Sequence, residues 1–241
     1  MKPLLALLLM LCLSASAAAP AGEPSRMLVF SKTGGFRHDS IPVAATTLRT
    51  LGTELGWQVD HGEDAAAFTP RNLARYRVVV FANTTGDVLD GTQQAALRDF
   101  IEGGGGFVGI HAAADTEYGW PWYETLVGAW FLSHPPGLQT TAVVFEGENK
   151  LREGRWRLTD ELYNYRSNPR AEVRVVATVD ERDYAGGTMG ADHPIAWCRR
   201  VGKGRSWYTG LGHTQEMYAD AVFRGHLLRG LRYSAGLSGG C

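Results

Sequence analysis

The chain has 241 residues, with 24 Lys plus Arg against 25 Asp plus Glu and three cysteines. That near-neutral balance, without a basic run, argues against a nucleic-acid binder or a protein held on anionic membrane surfaces, and so few cysteines exclude a disulfide scaffold. What remains is a globular protein, long enough to bury a sizeable core, whose partner is a small and weakly charged molecule.

At the N-terminus, Lys2 precedes an apolar run from Leu4 to Leu13, and SASAAAP follows. This is the pattern of a cleaved export signal, with Ala15 and Ala17 at the cleavage site. Residues 1–17 are therefore expected to be removed, residues 18–25 to form a short leader, and the product to be periplasmic or secreted. About ten apolar residues are too few to span a bilayer, which needs roughly 20, so no stable membrane anchor is expected after cleavage. Cys198 and Cys241 survive processing. A bridge between them is open in an oxidising compartment. Against it, Cys241 stands in a Gly-rich tail, 236–241, that reads as flexible and frayed.

From residue 26 two periods alternate. RMLVFSK at 26–32 reads as a strand, and TGGFRHDS is the loop after it. Ala44, Leu48, Leu51 and Leu55 recur at helical spacing, between Ser40 as cap and Gly56 as stop. WQVDH at 57–61 is a second strand, a short helical piece follows near 70–75, and RVVVFAN at 77–83 is a third strand. Asp90 caps a helix over 90–102 that sets Ala96, Leu97, Phe100 and Ile101 on one face. GGGGFVGI at 103–110 adds a fourth strand. This alternation predicts a doubly wound, mostly parallel sheet whose strands end on one ligand-binding edge. The second half is richer in strands: 140–146, 172–181, then PIAWCRR and SWYTGLG about a turn at 201–204. An amphipathic helix over 216–233 turns Met217, Ala221, Leu228 and Leu231 toward the sheet. The expected architecture is α/β, a flavodoxin-like three-layer sandwich forming one domain over 26–235, with additional strands in the C-terminal half.

Five histidines stand at strand ends or in loops: His38, His111, His134, His193 and His213. If the early strands are parallel, His38 and His111 must share the ligand edge. His61 reads as a strand end facing water and His226 as a helix surface, and neither is given a role. An acyl-transfer enzyme would carry Ser or Cys at position 111, on a nucleophile elbow. Imidazole there can instead act as a general acid or base, or as a metal ligand. Asp115, Asp160 and Glu161 add carboxylates that could complete either arrangement. No H-E-x-x-H or C-x-x-C pattern appears, so a divalent ion such as zinc, manganese or iron would be held from separate loops, by His38, His111, His134 and His213. A phosphate cradle is a weaker reading, because GGGG at 103–106 precedes a strand and TGGF at 33–36 lacks the end of a P-loop. Phe36, Trp120, Trp122, Tyr123, Tyr163, Tyr165, Tyr208 and Tyr218 fall in loops or element ends beside the same edge. Aromatic faces among acidic and imidazole groups suit a sugar.

TGGFRHDSI, GGGFVGIHAAAD, GAWFLSHP, TDELY at 159–163, HPIAW at 193–197 and KGRSWYTGLGH at 203–213 together resemble the ThuA-like family. That family is named for trehalose utilisation and belongs to the class I glutamine amidotransferase-like superfamily. The resemblance spans residues 26–235 and implies the family's fold and a role in handling sugars. Oxidised or 3-keto glycosides are the implied substrates, by hydrolysis, isomerisation or lyase chemistry. It carries over His38, His111, Asp115, His134, Asp160, Glu161, His193 and His213, each within a matching segment. His111 occupies the seat of the amidotransferase cysteine, which speaks against glutaminase activity. One expectation is an exported carbohydrate-active enzyme, with His111, His38, Asp115 and Glu161 in catalysis and Phe36, Trp120, Trp122, Tyr163, Asp160 and His193 around the substrate. The other is a sugar-binding protein without catalysis.

Overall fold

The computed structural model describes residues 25–147, 151 and 153–241. The export-signal pattern and all but the last residue of the leader lie outside these residues. In chain order the strands are β1 (Arg26–Phe30), β2 (Gln58–Gly62), β3 (Val78–Ala82), β4 (Gly106–Ile110), β5 (Phe131–Ser133), β6 (Gln139–Phe145), β7 (Arg155–Asp160), β8 (Asn164–Tyr165), β9 (Arg174–Val179), β10 (His193–Val201) and β11 (Gly204–Thr209). The helices are α1 (Ile41–Glu54), α2 (Pro70–Leu73), α3 (Gly91–Glu102), α4 (Pro121–Val127) and α5 (Ala221–Ser234). Nine strands form one sheet in the order β2-β1-β3-β4-β11-β10-β9-β6-β7, and β5 pairs with β8 in a separate ribbon. The first five of the nine run parallel and the rest antiparallel. This is the expected flavodoxin-like sheet with its antiparallel extension.

The central strands are apolar without alternation because both of their faces are covered. All five residues of β3 are buried, and Phe81 packs against Phe30, Phe68, Phe107 and Tyr123. Asp90 caps α3 as expected. Its carboxylate accepts the N–H groups of Thr92 and Gln93 at 2.9 Å, and Gln93 returns a bond to the Asp90 N–H, a box worth about 1 kcal/mol. Ser40 behaves differently. It precedes α1 but makes no capping bond; its hydroxyl donates to the Gly212 carbonyl and accepts from Asn83 Nδ2. A tertiary bond has displaced the local one.

Three other expectations change. The last helix starts late, because Glu216–Ala219 is a separate 3₁₀ turn and Asp220 caps α5 by accepting from Val222 and Phe223 N–H. The C-terminal tail is not loose at its end: Cys241 is disulfide-bonded to Cys198, and the Arg205 guanidinium donates to the carbonyls of Tyr233 and Ser238 on the way there. His226 is buried and not on a helix surface. It lies in α5 between the Trp207 and Phe145 rings, with Nε2 at 3.2 Å from the Thr209 hydroxyl.

Burial, with a smaller push from Arg229, takes the His226 pKa down to about 3. The unfolded chain takes up that proton near pH 6.5 and the folded chain does not. The contribution is therefore intact above pH 6.5 and falls by about 1.4 kcal/mol per pH unit as the pH drops toward 3. Urea unfolding of metal-free protein between pH 7 and pH 4 should show His226→Gln flatter than wild type by about that slope. Parallel curves would refute the assignment.

The sheet also curls. β7 stands five places from β4 in the strand order, which in a flat sheet is about 24 Å. Yet Asp160, the last residue of β7, accepts the Gly212 N–H at 2.6 Å and the Thr214 N–H at 3.2 Å, just beyond the end of β11. The edge strand therefore returns over the ends of the parallel strands. No helix among the described residues is long and apolar enough to cross a membrane.

Candidate metal centre

The parallel strands deliver three imidazoles to one edge. His38 lies in the loop between β1 and α1, His111 is the first residue after β4, and His213 follows β11. His111 has φ of 48°, a left-handed conformation uncommon outside glycine and costing of order 1–3 kcal/mol. The surroundings impose it: Tyr208 donates its hydroxyl to the His111 carbonyl, and His111 Nδ1 donates to the Gly210 carbonyl, both at 2.8 Å. Gly212, at φ 113°, lets the loop pass beside Tyr218, whose hydroxyl would lie 2.9 Å from any added Cβ. The curl of the sheet then brings in Glu161.

These residues make a compact donor set. One ligand atom each from His38, His111, Glu161 and His213 lie within 4.8 Å of one another. His111 Nε2 is 3.2 Å from His213 Nδ1, and Glu161 Oε2 is 3.3 Å from each of them. An ion bonded at about 2.0–2.1 Å to tetrahedrally placed atoms holds them roughly 3.4 Å apart, so the spacing is that of a coordination polyhedron. Because His111 Nδ1 carries its proton toward Gly210, the lone pair of Nε2 faces the group, the usual outer-shell device of a metal-bound histidine. His38 Nδ1 is buried without a hydrogen-bond partner, a vacancy that native interiors rarely tolerate. Three imidazoles and a carboxylate are donors suited to zinc, manganese or iron. The residues fit a divalent ion.

The electrostatics agree. Burial, helped by the neighbouring His111 and His213, lowers the His38 pKa to about 3, so this ring is neutral and ready to donate a lone pair. Burial alone would raise Glu161, but bonds from His111 and His213 overcome it and hold the carboxyl well below its usual range. Burial lowers His213, and Glu161 reverses this to leave it raised.

Other expected residues take different places. His134 Nδ1 lies 3.3 Å from the outer oxygen of Glu161 and 2.9 Å from the Pro135 carbonyl. It braces the carboxylate and stands outside the four-residue group. Asp160 is fully buried, and its two accepted N–H groups hold the 212–214 loop that carries His213. His193 Nε2 donates to the Tyr163 carbonyl at 2.9 Å, while Nδ1 meets Glu181 and the Tyr184 hydroxyl. It fixes the backbone of Tyr163, whose ring lies against His111 at 4.2 Å between centroids. Phe36 is 67% exposed and meets the His38 ring edge-on. Trp120 and Trp122 stack on each other, and Trp122 donates to Glu102 at the far end of α3. α4 carries Trp122 away from the edge, and Trp120, just before the helix, stacks on it. Tyr123, Tyr165, Tyr208 and Tyr218 belong to the core.

Asp115 ends the 3₁₀ turn that starts at His111, and Tyr118 donates to its Oδ1 at 2.6 Å. Burial pushes the carboxyl up, against the Tyr118 bond and the His111 charge. Sequence reasoning missed Asn83, which is buried after β3 at φ 55°, donates to Ser40 and Gly212, and leaves Oδ1 without a partner. It also missed Glu117, whose carboxylate accepts the N–H groups of Val88 and Leu89 and so anchors the loop after β3. The NTTG and DTE segments held these residues without a motif to mark them.

The profile of a protein family described as ThuA, trehalose utilisation, matches residues 26–234. A ThuA-like protein from Bacteroides uniformis has the same fold, with a TM-score of 0.74 at 22% identity over 91% of this chain and 95% of that one. Another from Parabacteroides merdae gives 0.70 at 20% over 88% and 90%. A β-galactosidase from Bacillus circulans contains a similar fold, with 0.57 at 15% over 88% of this chain and 31% of that one. No curated protein is significantly similar in sequence.

Proposed function

Since the chain belongs to the ThuA family of trehalose utilisation, we propose that it is an exported enzyme acting on glycosides, 3-keto glycosides first among them, at a divalent metal centre. The observation that carries this reading is the mutual 3.2–3.3 Å spacing of His111, Glu161 and His213 beside the unpartnered His38. A bound divalent ion would supply Lewis acidity toward a sugar carbonyl or hydroxyl. The protein's own groups do the rest. Tyr163 offers an aromatic surface against His111, and exposed Phe36 stands at the rim, suited to the C–H face of a sugar ring. Asp115, whose carboxyl burial pushes up, is the group assigned to moving a proton. In a 3-keto glycoside the hydrogen on C2, next to the ketone, is acidic. Asp115 as carboxylate takes that proton, the C–H electron pair forms the C1–C2 double bond, and the C1–O bond breaks with its electrons going to the departing oxygen. That oxygen then takes up a proton. Export is supported by the pattern at 1–17 and by the Cys198–Cys241 bridge, since such bonds persist in oxidising compartments.

The test offers 3-keto glucosides and their unoxidised parents to mature protein loaded with zinc, manganese or iron(II), with and without chelator. The expected result is release of the aglycone from the keto substrate only, and its loss with chelator. Saturable binding with no product under any metal would make the protein a sugar binder instead.

A further inference from the structure

At the opposite edge of the sheet, where β10 ends and β11 begins, lies a cavity of about 320 Å³. Arg174, Arg200, Arg205 and Tyr233 line it, and Gly240 and Cys241 form part of its wall. The strand register shows why the cations meet. Arg174 is paired with Cys198, and Arg200 with Arg205, and residues two apart on β10 share a face. Arg174, Arg200 and Arg205 therefore project from the same side of the sheet as the half-cystine of Cys198, the side on which the bridged tail closes. Arg199, one residue out of phase and paired with Ser206, also borders the cavity.

Like charges directly opposite on neighbouring strands repel, and Arg200 faces Arg205. Among the described residues no carboxylate comes within ion-pair distance of Arg174, Arg200 or Arg205; the neighbouring Arg170 takes both Glu146 and Asp192. Glu172 stands at the rim without pairing with any of the three. Arg205 is held in place by the Tyr233 and Ser238 carbonyls, which position its charge without neutralising it. Burial raises the Tyr233 hydroxyl, and Arg205, Arg200 and Arg174 all pull it back.

We infer that this cavity binds a phosphate-type oxyanion, free or as the monoester of a small molecule, between the guanidinium groups of Arg174, Arg200 and Arg205, with the disulfide-held tail as one wall. Planar guanidinium forks match the oxygens of a tetrahedral dianion, and such charge-assisted bonds are stronger than neutral ones. The site is independent of the metal centre, which lies at the other end of the strands.

Calorimetry and thermal unfolding with inorganic phosphate, against chloride at equal ionic strength, test it. Saturable binding is expected, weakened about tenfold or more by Arg200→Ala or Arg174→Ala, and weakened several-fold by Cys241→Ser. In chloride alone, Arg200→Ala should be at least as stable as wild type, because it removes a repulsion. All variants should keep the wild-type affinity for divalent metal, which separates failure here from failure of the metal centre. Tighter binding of glucose 6-phosphate than of phosphate would assign the monoester, and the reverse order the free ion. No phosphate effect beyond that of chloride, an effect unchanged in the Arg174→Ala/Arg200→Ala double variant, or binding of a sulfated polymer without binding of phosphate would overturn the inference.

Discussion

Titration of the metal-free protein with zinc, manganese or iron(II) is expected to end at one ion per chain, and Glu161→Gln to weaken that binding at least about 100-fold. Glu161 is the one anionic donor of the group, and its Oε2 touches both His111 and His213. Glutamine keeps the shape and loses the charge. His111→Ala should match this loss, since it removes the donor whose tautomer Gly210 fixes. His134→Ala should cost less, about tenfold, because His134 only braces the outer oxygen of Glu161. The affinity should rise with pH. The raised pKa of folded His213 means that its ion pair with Glu161 stabilises the metal-free protein at low pH and is lost as pH rises through that value. A metal must displace the same proton, so binding strengthens over the interval where the pair weakens. Isothermal titration at several pH values, with circular dichroism to confirm folding, measures all of this. A Glu161→Gln protein that binds metal like wild type would remove the centre from consideration.

The legible part of this site has a topological cause. His38, His111 and His213 each follow a strand of the parallel set, and parallel strands in one sheet must end on one edge. Glu161 follows an edge strand five places from β4, and only the curl of the whole sheet carries it to the imidazoles. No local period encodes that curl; the sequence offered Glu161 only as one of three carboxylates that could complete the site, and within the TDELY segment of the family resemblance. His193 begins an antiparallel strand at the same edge, but its nitrogens are already engaged by Tyr163 and Glu181. Trp120 precedes and Trp122 opens a short helix, and they stack on each other with Trp122 bonded to Glu102 at the C-terminal end of α3. His226 and the C-terminal tail were misjudged for a common reason. Each was read from its local segment, a polar helix stretch or a glycine tail, while burial by β11 in one case and Arg205 with the bridge in the other decided the outcome.

Asp115→Asn should lower kcat on a 3-keto glycoside by about 10²–10⁴-fold, the span for losing a positioned acid or base, while leaving metal affinity within a few-fold of wild type. The residue stands four places after His111 on the same 3₁₀ turn, and its backbone carbonyl accepts the Gly86 N–H, so the asparagine variant keeps the turn. What changes is the capacity to take a proton. Tyr118 supplies the more discriminating control. Its hydroxyl donates to Asp115 and thereby lowers a carboxyl that burial raises. Tyr118→Phe removes that bond, so the Asp115 pKa should climb further. For a group that works as carboxylate, the acidic limb of the pH–kcat profile must then move to higher pH. A residue that merely shaped the pocket would change KM or stability and leave that limb in place. A pH profile unmoved by Tyr118→Phe, or a kcat kept within about threefold in Asp115→Asn, would transfer the proton step to another group, with His134, half-exposed beside Glu161, the next to be tested.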